Sequence, residues 1–316
     1  MLVRTLIAFL MLYMLSWQQA QAMEKVSLKL QWLDQFQFAG YYVAKEKGFY
    51  EKAGLDVEII PFTFGSPNVV NDVVEGRATY GTGRSSLLAA HVKGLPVVAL
   101  SAIFQETPSV LLTRDDTGIE HLSDLIGRRI MITPDELGAA STIGMLASEG
   151  LRVFDVVRMD HSYNLDDLIN KKTDAMACYV SNEPFVLKEK GVGFNSFSPK
   201  DFGQNYYGDL LFTSQKELKT HPGRVKRFKA ASLMGWAYAF DHIDETVNLI
   251  KRSYNGQKKS VKSLTFEGQE LKKLAYQDGL PLGHISKAKF TEIAKLYYNL
   301  GILPEVKELD SFVLED

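Results

Sequence analysis

Aromatic and amide side chains collect just after the first predicted strand, between residues 32 and 38. Aromatic rings offer a bound molecule a large contact area at little cost in conformational entropy. Amide groups both donate and accept hydrogen bonds. The combination is typical of a site for a flat, polar ligand. The residues concerned are Trp32, Asp34, Gln35, Phe36, Gln37 and Phe38.

A second polar group, residues 179–185, follows a later predicted strand. The Glu183 carboxylate could accept hydrogen bonds from the amino group of a pyrimidine or another amine, and such bonds are strong where water is excluded. The same carboxylate could instead complement the dipole of a helix that begins beside Pro184. The sequence leaves both roles open, and it adds Tyr179 and Asn182 as neighbouring candidates.

The run 81–86, Gly-Thr-Gly-Arg-Ser-Ser, is expected to form a turn that leads into a helix over 87–92. Glycines let backbone N–H groups approach a ligand, and a helix start favours acceptor or anionic groups. The run lacks the Gly-Lys-Ser/Thr ending of a nucleotide-binding loop, which argues against ATP binding. Ser85 and Ser86 are therefore candidate ligand contacts, although either could simply cap the helix.

Alternating strands and helices must position these groups. Apolar and polar residues alternate from Val26 to Trp32, which predicts a strand with one buried face. Helical spacing at Tyr41 and Tyr42 follows and ends at Gly48, and a second strand is predicted over 55–59. The result is a βαβ unit. Ligands in open α/β sheets bind at the carboxyl ends of the strands, where the first polar group lies.

The composition narrows the functional classes. The chain has 316 residues, enough for about two domains, and its net charge of −2 gives no electrostatic footprint for nucleic acid. The single cysteine, Cys178, excludes an internal disulfide and cysteine-based metal sites. The six histidines are scattered and no nucleophile turn is present. We therefore predict no cofactor, no metal site and no catalytic residues.

The first 22 residues have the pattern of a secretory signal peptide. Arg4 precedes an apolar run over 6–15, and Ala20-Gln21-Ala22 supplies a small-x-small cleavage site. The apolar run is short for a membrane anchor, which needs about 20 residues. We expect cleavage after Ala22 and a mature protein in the periplasm.

The remaining pattern predicts two lobes. A short helix is expected after Ser66 as N-cap and Pro67, the strand pattern restarts at Ser109, and the chain is mainly helical from Pro222. Crossings near 105–110 and 197–208 divide the chain. We predict residues 23–108 and 209–316 as one discontinuous lobe and residues 109–208 as an inserted lobe.

One further pattern carries a family resemblance. A strand ending in Trp32 precedes a helix that contains Gly40 and Tyr42, and Lys-Gly-Phe-Tyr follows at 47–50. This opening resembles that of periplasmic solute-binding proteins of the sulfonate and thiamine-precursor type. The resemblance implies a type II bilobal α/β fold with a two-crossing hinge, a monomer, a solute between the lobes and an ABC transporter permease as partner. The predicted ligand contacts are Trp32, Gln35, Phe38, Tyr42, Ser85, Ser86, Tyr179, Asn182, Glu183 and Tyr207, with a thiamine-precursor pyrimidine as the leading ligand.

Other functions remain open. A sulfonate or another small anion would rely on Arg84 and the backbone of 81–86. The same fold family includes thiamine-pyrimidine synthases, but this chain has Phe38 where they have a histidine, neither lysine nor histidine within 81–86, and no cysteine cluster near 204–208. Residues 182–185 and 207–213 also resemble the ligand-sensing ectodomains of signalling proteins.

Overall fold

The computed structural model of the chain describes residues 23–65, 68–306 and 309–315. The predicted signal peptide and the predicted cap at Ser66 and Pro67 lie outside the described residues. The described residues contain ten strands, which form two five-stranded sheets. The strands are β1 (Glu24–Lys29), β2 (Leu55–Ile60), β3 (Tyr80–Gly83), β4 (Val97–Ala102), β5 (Ser109–Arg114), β6 (Arg129–Ile132), β7 (Val157–Asp160), β8 (Ala175–Tyr179), β9 (Phe194–Phe197) and β10 (Leu210–Ser214).

The first sheet has the order β2-β1-β3-β10-β4. β1 pairs in parallel with β2 and β3, so their carboxyl ends meet at one edge, beside residues 32–38 and 84–86. β10 pairs antiparallel with β3 and β4. The strand that returns from the second sheet therefore lies inside the first sheet rather than at its edge.

The second sheet has the order β7-β6-β8-β5-β9. β6 is parallel to β7 and β8, whereas β5 is antiparallel to β8 and β9. The chain enters this sheet between Ala102 and Ser109 and leaves it between Phe197 and Leu210. Two sheets joined by two crossings confirm the predicted bilobal α/β fold. We call the parts around the first and second sheets the first and second lobes.

Twelve α-helices are described, and they cover the faces of the two sheets. Among the described residues, none is long and apolar enough to cross a membrane. The helices are α1 (Ala39–Glu46), α2 (Phe49–Lys52), α3 (Val69–Val74), α4 (Leu87–Val92), α5 (Glu136–Ser148), α6 (Asp166–Ile169), α7 (Glu183–Glu189), α8 (Gln215–Thr220), α9 (Pro222–Asp241), α10 (Ile243–Ser253), α11 (Val261–Ala275) and α12 (Lys287–Asn299).

Helices α1 and α9 form a close contact in the core of the first lobe. A Cβ atom at Gly235 would lie 2.0 Å from the Gly40 carbonyl oxygen, and one at Gly40 would lie 2.1 Å from the Trp236 ring. The Trp236 side chain is fully buried, and its ring packs against Phe104 at a centroid distance of 5.6 Å. Glycine at both positions lets the helices approach, and the contact fixes α1 behind residues 32–38.

The structure corrects the predicted turn over residues 81–86. Residues 81–83 belong to strand β3, and only Arg84 to Ser86 turn into α4. Gly81 has no side chain because a Cβ atom there would lie 2.5 Å from the ring of Phe212 on β10. The sequence pattern of these glycines was typical of a turn, but their role is to admit an aromatic ring from a neighbouring strand.

Three smaller differences concern the end of β1, the start of α3 and the second sheet. β1 ends at Lys29 rather than Trp32, because the Gln31 N–H donates to the Thr82 hydroxyl at 2.9 Å instead of continuing the ladder. Asn68 caps α3 and accepts a hydrogen bond from the Val70 N–H at 2.8 Å. The short strand β9 was not predicted.

Candidate ligand site between the lobes

A cavity of about 100 Å³ lies where the two lobes meet. It is smaller than typical ligand pockets, which measure about 300 to 1,000 Å³. The first lobe contributes the turn after β3 and the start of β10, and the second lobe contributes the ends of β8 and the start of α5. The lining residues used below are Arg84, Ser85, Ser86, Tyr179, Tyr207 and Asp209.

Arg84 and Tyr179 face each other across the cavity. The guanidinium carbon of Arg84 lies 5.5 Å from the centroid of the Tyr179 ring, within the range of a cation–π contact. The Arg84 Nε atom is buried without a hydrogen-bond partner. Burial raises the pKa of Tyr179 to about 12, so its hydroxyl is neutral at physiological pH. The cavity therefore holds one unsatisfied donor of positive charge beside a flat, neutral ring.

Asp209 supplies a buried carboxyl group next to Arg84. Its side chain is 3% exposed, and it accepts hydrogen bonds from Gln37 Nε2 at 2.8 and 3.1 Å. Burial raises the pKa of Asp209 to about 6, against the opposing effect of Gln37 and of the Arg84 charge. The sequence reasoning did not select Asp209, which follows Gly208 at the point where the chain returns to the first lobe.

Gln35 acts on the cavity through Gln37. The Gln35 Nε2 atom donates to Gln37 Oε1 at 2.6 Å, and both side chains are buried. The Gln37 backbone N–H donates to Glu267 Oε1 at 3.0 Å. Gln35 itself is not among the residues that line the cavity.

The two serines predicted after β3 both line the cavity. Ser85 Oγ donates to the Tyr207 carbonyl oxygen at 3.0 Å. Ser86 occupies the N-cap position of α4, but its side chain makes no capping hydrogen bond. The Tyr207 side chain is fixed by a hydrogen bond, because its hydroxyl accepts the Ser286 N–H at 3.0 Å.

Three aromatic residues predicted as ligand contacts have different surroundings. Trp32 is half-buried and contacts Tyr163 of the second lobe at a centroid distance of 5.4 Å. Phe38 is fully buried in the core of the first lobe. Tyr42 is also fully buried, stacks on Tyr254 at 4.0 Å and donates from its hydroxyl to Asp34 at 2.7 Å. None of the three lines the cavity.

The Glu183 carboxylate lies against the backbone at the end of β8. It accepts a hydrogen bond from the Tyr179 N–H at 2.8 Å, and Glu183 is the first residue of α7. Burial raises the pKa of Glu183. The hydrogen bond fixes the backbone of Tyr179, and Glu183 stands at the start of α7 as the dipole role requires; both roles that the sequence left open stay predictions.

Asn182 joins the lobes through Lys259. Its side-chain oxygen accepts a hydrogen bond from Lys259 Nζ, which also pairs with Glu267 at 3.0 Å. Glu267 is fully buried. Because Glu267 also accepts the Gln37 N–H, a continuous polar chain runs from Asp209 through Gln37, Glu267 and Lys259 to Asn182. Across the described residues, no group of three or more His, Cys, Asp or Glu side chains could hold a metal ion.

A comparison with known protein families identifies the family of this chain. The family model described as NMT1/THI5 like matches residues 35–246. The chain belongs to this family. The matched span contains both crossings between the lobes and most of the cavity residues, including Arg84, Tyr179 and Asp209.

Three proteins of similar sequence carry names that state a function. The chain is 27% identical to the riboflavin-binding protein RibY of Chloroflexus aurantiacus over 72% of its length and 66% of that protein, just under two thirds. It is 24% identical to the formylaminopyrimidine-binding protein of Halalkalibacterium halodurans, covering 73% of this chain and 71% of that protein. It is 28% identical to the 4-amino-5-hydroxymethyl-2-methylpyrimidine phosphate synthase of Legionella pneumophila, covering 72% of each.

Solved structures agree on the fold. The periplasmic aliphatic sulphonate binding protein SsuA of Escherichia coli superposes with a TM-score of 0.69 at 15% identity, covering 92% of each chain. The bilobal architecture is therefore that of a periplasmic binding protein.

Proposed function

We propose that the protein is the solute-binding component of an ABC importer and binds a thiamine-precursor pyrimidine or a similar small solute between its lobes. The observation that carries this proposal is the cavity to which both lobes contribute polar side chains. A solute in such a position is enclosed when the lobes approach each other. Two relatives named as binding proteins for riboflavin and formylaminopyrimidine support a planar heterocycle as the solute.

Each predicted contact takes a role in this proposal. Trp32 stacks on the solute ring, and Ser85, Ser86, Asn182 and Glu183 are its hydrogen-bonding groups. Gln35 orients Gln37 and Asp209, and Tyr179 and Tyr207 form the walls of the cavity. Phe38 and Tyr42 support the site from the core.

The proposed organisation follows the two crossings. Residues 23–108 and 209–316 form one lobe and residues 109–208 the other. The mature chain acts in the periplasm as a monomer and meets a permease there, after cleavage of residues 1–22.

Binding without turnover is part of the proposal. One relative is named as a synthase, but the groups that the family resemblance associates with that chemistry are missing from this sequence. Phe38 stands in place of a histidine, residues 81–86 contain neither lysine nor histidine, and residues 204–208 contain no cysteine. An aldimine needs an amine, and this region of the chain offers none at the required positions.

A small anion is the second candidate ligand, and one observation favours it. Arg84 lines the cavity with its Nε buried and unpartnered, and guanidinium groups bind carboxylates, sulfonates and phosphates with paired hydrogen bonds. When its carboxyl group is ionised, Asp209 lies close enough to Arg84 to lower the affinity of Arg84 for an anion. The relative influence of the Arg84 and Asp209 charges determines whether the site binds a pyrimidine or a small anion more tightly.

Calorimetric titration of residues 23–316 tests the proposal. Formylamino- and hydroxymethyl-pyrimidines are titrated, with an alkanesulfonate as the comparison. We expect pyrimidine binding at micromolar affinity or better, about −8 kcal/mol, and no product formation. Glu183→Gln should weaken pyrimidine binding and Arg84→Ala should leave it largely intact. The reverse pattern would identify an anion receptor, and turnover of the pyrimidine would identify an enzyme.

A further inference from the structure

Two aromatic rings from opposite lobes meet at the mouth of the cleft. Trp32 follows β1 of the first lobe, and Tyr163 follows β7 of the second. Their ring centroids are 5.4 Å apart and the planes are inclined by 44°. Trp32 is half-buried, whereas Tyr163 is 57% exposed. The contact therefore separates when the lobes part, unlike the aromatic contacts inside either core.

The Trp32 side of this contact is a preformed aromatic surface. Phe62 lies 5.2 Å from the Trp32 centroid and Phe64 lies 5.8 Å from it. Phe64 is 63% exposed although it is large and apolar. Exposed rings that back a half-buried tryptophan widen the surface available to a flat molecule.

The Tyr163 side is held in an unusual conformation. Its φ angle is 56°, in the left-handed region that residues other than glycine rarely adopt. Its N–H donates to His161 Nδ1 at 2.9 Å, and its ring stacks on the imidazole at 4.6 Å. The other ring nitrogen, His161 Nε2, contacts the Ala177 carbonyl oxygen at 2.6 Å, so Nε2 carries the hydrogen and Nδ1 accepts. Such conformations persist where the surroundings determine them, often at ligand sites.

Neither ring of this contact lines the cavity, but Trp32 follows Gln31, whose N–H donates to Thr82, two residues before the lining residue Arg84. Tyr163 is close enough to Arg84 and Tyr179 to interact with both electrostatically. A cavity of about 100 Å³ is too small for a substituted heterocycle, so a ring must displace existing contacts. The Trp32–Tyr163 contact joins the two lobes through partners that are both accessible, and its Tyr163 ring is the more exposed of the two.

We propose that Tyr163 is a specificity-determining residue that forms an aromatic clamp with Trp32 and selects solutes with a planar ring. The ring lies between the two side chains, and its polar substituents point into the cavity toward Arg84. Stacking on both faces needs the two side-chain planes about 7 Å apart, twice a normal contact distance. The clamp therefore opens from the centroid distance of 5.4 Å seen here and loses the 44° inclination of its two planes. This inference rests on the proposed solute-binding function.

Titration of three probes tests the clamp: hydroxymethylpyrimidine, riboflavin and a straight-chain alkanesulfonate. We expect Tyr163→Ala to weaken binding of the two planar probes roughly tenfold or more, the usual effect of losing one stacking partner. Tyr163→Phe keeps the ring and should bind as the wild type does. Tyr298→Ala is the matched control, because Tyr298 is 52% exposed on α12 and does not line the cavity.

A selective loss of the planar probes, with thermal unfolding unchanged, supports the inference. Wild-type affinity for planar probes in Tyr163→Ala would overturn it while leaving the proposed function standing. Equal weakening of all three probes would also overturn it, because Tyr163 would then serve closure rather than ring selection. If the unmutated protein binds the alkanesulfonate alone, or no probe, the proposed pyrimidine ligand fails before any variant is made and the clamp fails with it.

Discussion

Asp209 shows how one buried group links the cavity to the stability of the protein. Its folded-state pKa of about 6 lies above the ordinary value of 3.8. Between these two values the folded protein holds a proton that the unfolded chain has released. Stability contributed by this group is therefore complete below about pH 4 and is lost as the pH rises through 6.

Replacing Asp209 with asparagine should remove this loss, because asparagine carries no charge at any pH. We expect the unfolding free energy of Asp209→Asn, relative to wild type, to rise by on the order of 1 to 3 kcal/mol between pH 4 and pH 7. Urea unfolding at a series of pH values measures the difference. Asp56→Asn, at an exposed position of β2, is the control and should show a much smaller change. A flat difference for Asp209→Asn would contradict the assigned burial effect.

Single residues of the site could be predicted where they follow a strand directly. Ser85 and Ser86 line the cavity because they follow β3, whose carboxyl end meets that of the parallel strand β1, and Tyr179 ends β8, which is parallel to β6 in the facing lobe. Tyr163 and Asp209 were missed because their roles depend on partners far away in the chain. Phe38 was selected by its residue type and its place after the first predicted strand, and neither distinguishes a ligand wall from the core in which the side chain is buried.

The close contact between α1 and α9 is the clearest feature at the scale of elements. Gly235 has the backbone of Gly40 directly opposite, at 2.0 Å from the position of an added Cβ. An added methyl group must push the two helices apart, and α1 supports the segment that carries Trp32, Gln35 and Gln37. The cost of a clash in a packed core is typically about 1 to 3 kcal/mol.

Gly235→Ala should therefore destabilise the protein by about 1 to 3 kcal/mol, although alanine favours a helix by about 1 kcal/mol over glycine. Gly223→Ala is the matched control in the same helix, since an added Cβ there meets only the flexible end of Arg227 at 3.6 Å. That variant should be neutral or slightly stabilising. Thermal and urea unfolding of both variants check the expectation, and equal effects at the two positions would show that packing does not dominate.

The order of strands and helices was largely readable because apolar periodicity changes from two to 3.6 at each boundary. The error at residues 81–83 has a specific cause. A Gly-Thr-Gly run is typical of a turn, but here the glycines clear space for Phe212, which arrives from a strand about 130 residues later. Local patterns cannot report such a partner.

At the scale of the whole molecule, Lys259 forms one polar link between the lobes. Its ammonium group contacts Asn182 of the second lobe while it pairs with the buried Glu267 of the first. A hydrogen bond to a charged group is worth about 1.5 to 3 kcal/mol. Removing the Asn182 side of this link weakens the contact between lobes but leaves the buried ion pair in place.

Asn182→Ala should therefore shift the unliganded protein toward an open form about tenfold or more, with a loss of unfolding free energy no larger than the bond itself, about 1.5 to 3 kcal/mol. Small-angle X-ray scattering should show a larger radius of gyration than for the wild type. Asn195→Ala is the control, because Asn195 donates to the Ile119 carbonyl oxygen within the second lobe. If the two variants scatter alike, the Lys259 link does not hold the lobes together.

The bilobal architecture was predictable because the strand pattern restarts at Ser109 and the chain resembles a known family over its opening residues. The distance between the lobes was not predictable from the sequence. It depends on contacts such as Trp32 with Tyr163 and Lys259 with Asn182, which join residues about 75 to 130 positions apart. No periodicity within one segment encodes such pairs.

The position of β10 also sets an order of assembly during synthesis. β10 lies between β3 and β4, yet the ribosome makes it only after the entire second lobe. The sheet that contains the first strands of the protein therefore stays divided while the whole second lobe emerges, whether from the ribosome or, as proposed above, across the membrane from its N-terminal end. Until residues 210–214 emerge, β3 and β4 each have an unpaired edge, a surface on which other chains can add. The nascent chain is therefore most vulnerable to aggregation in its oldest part.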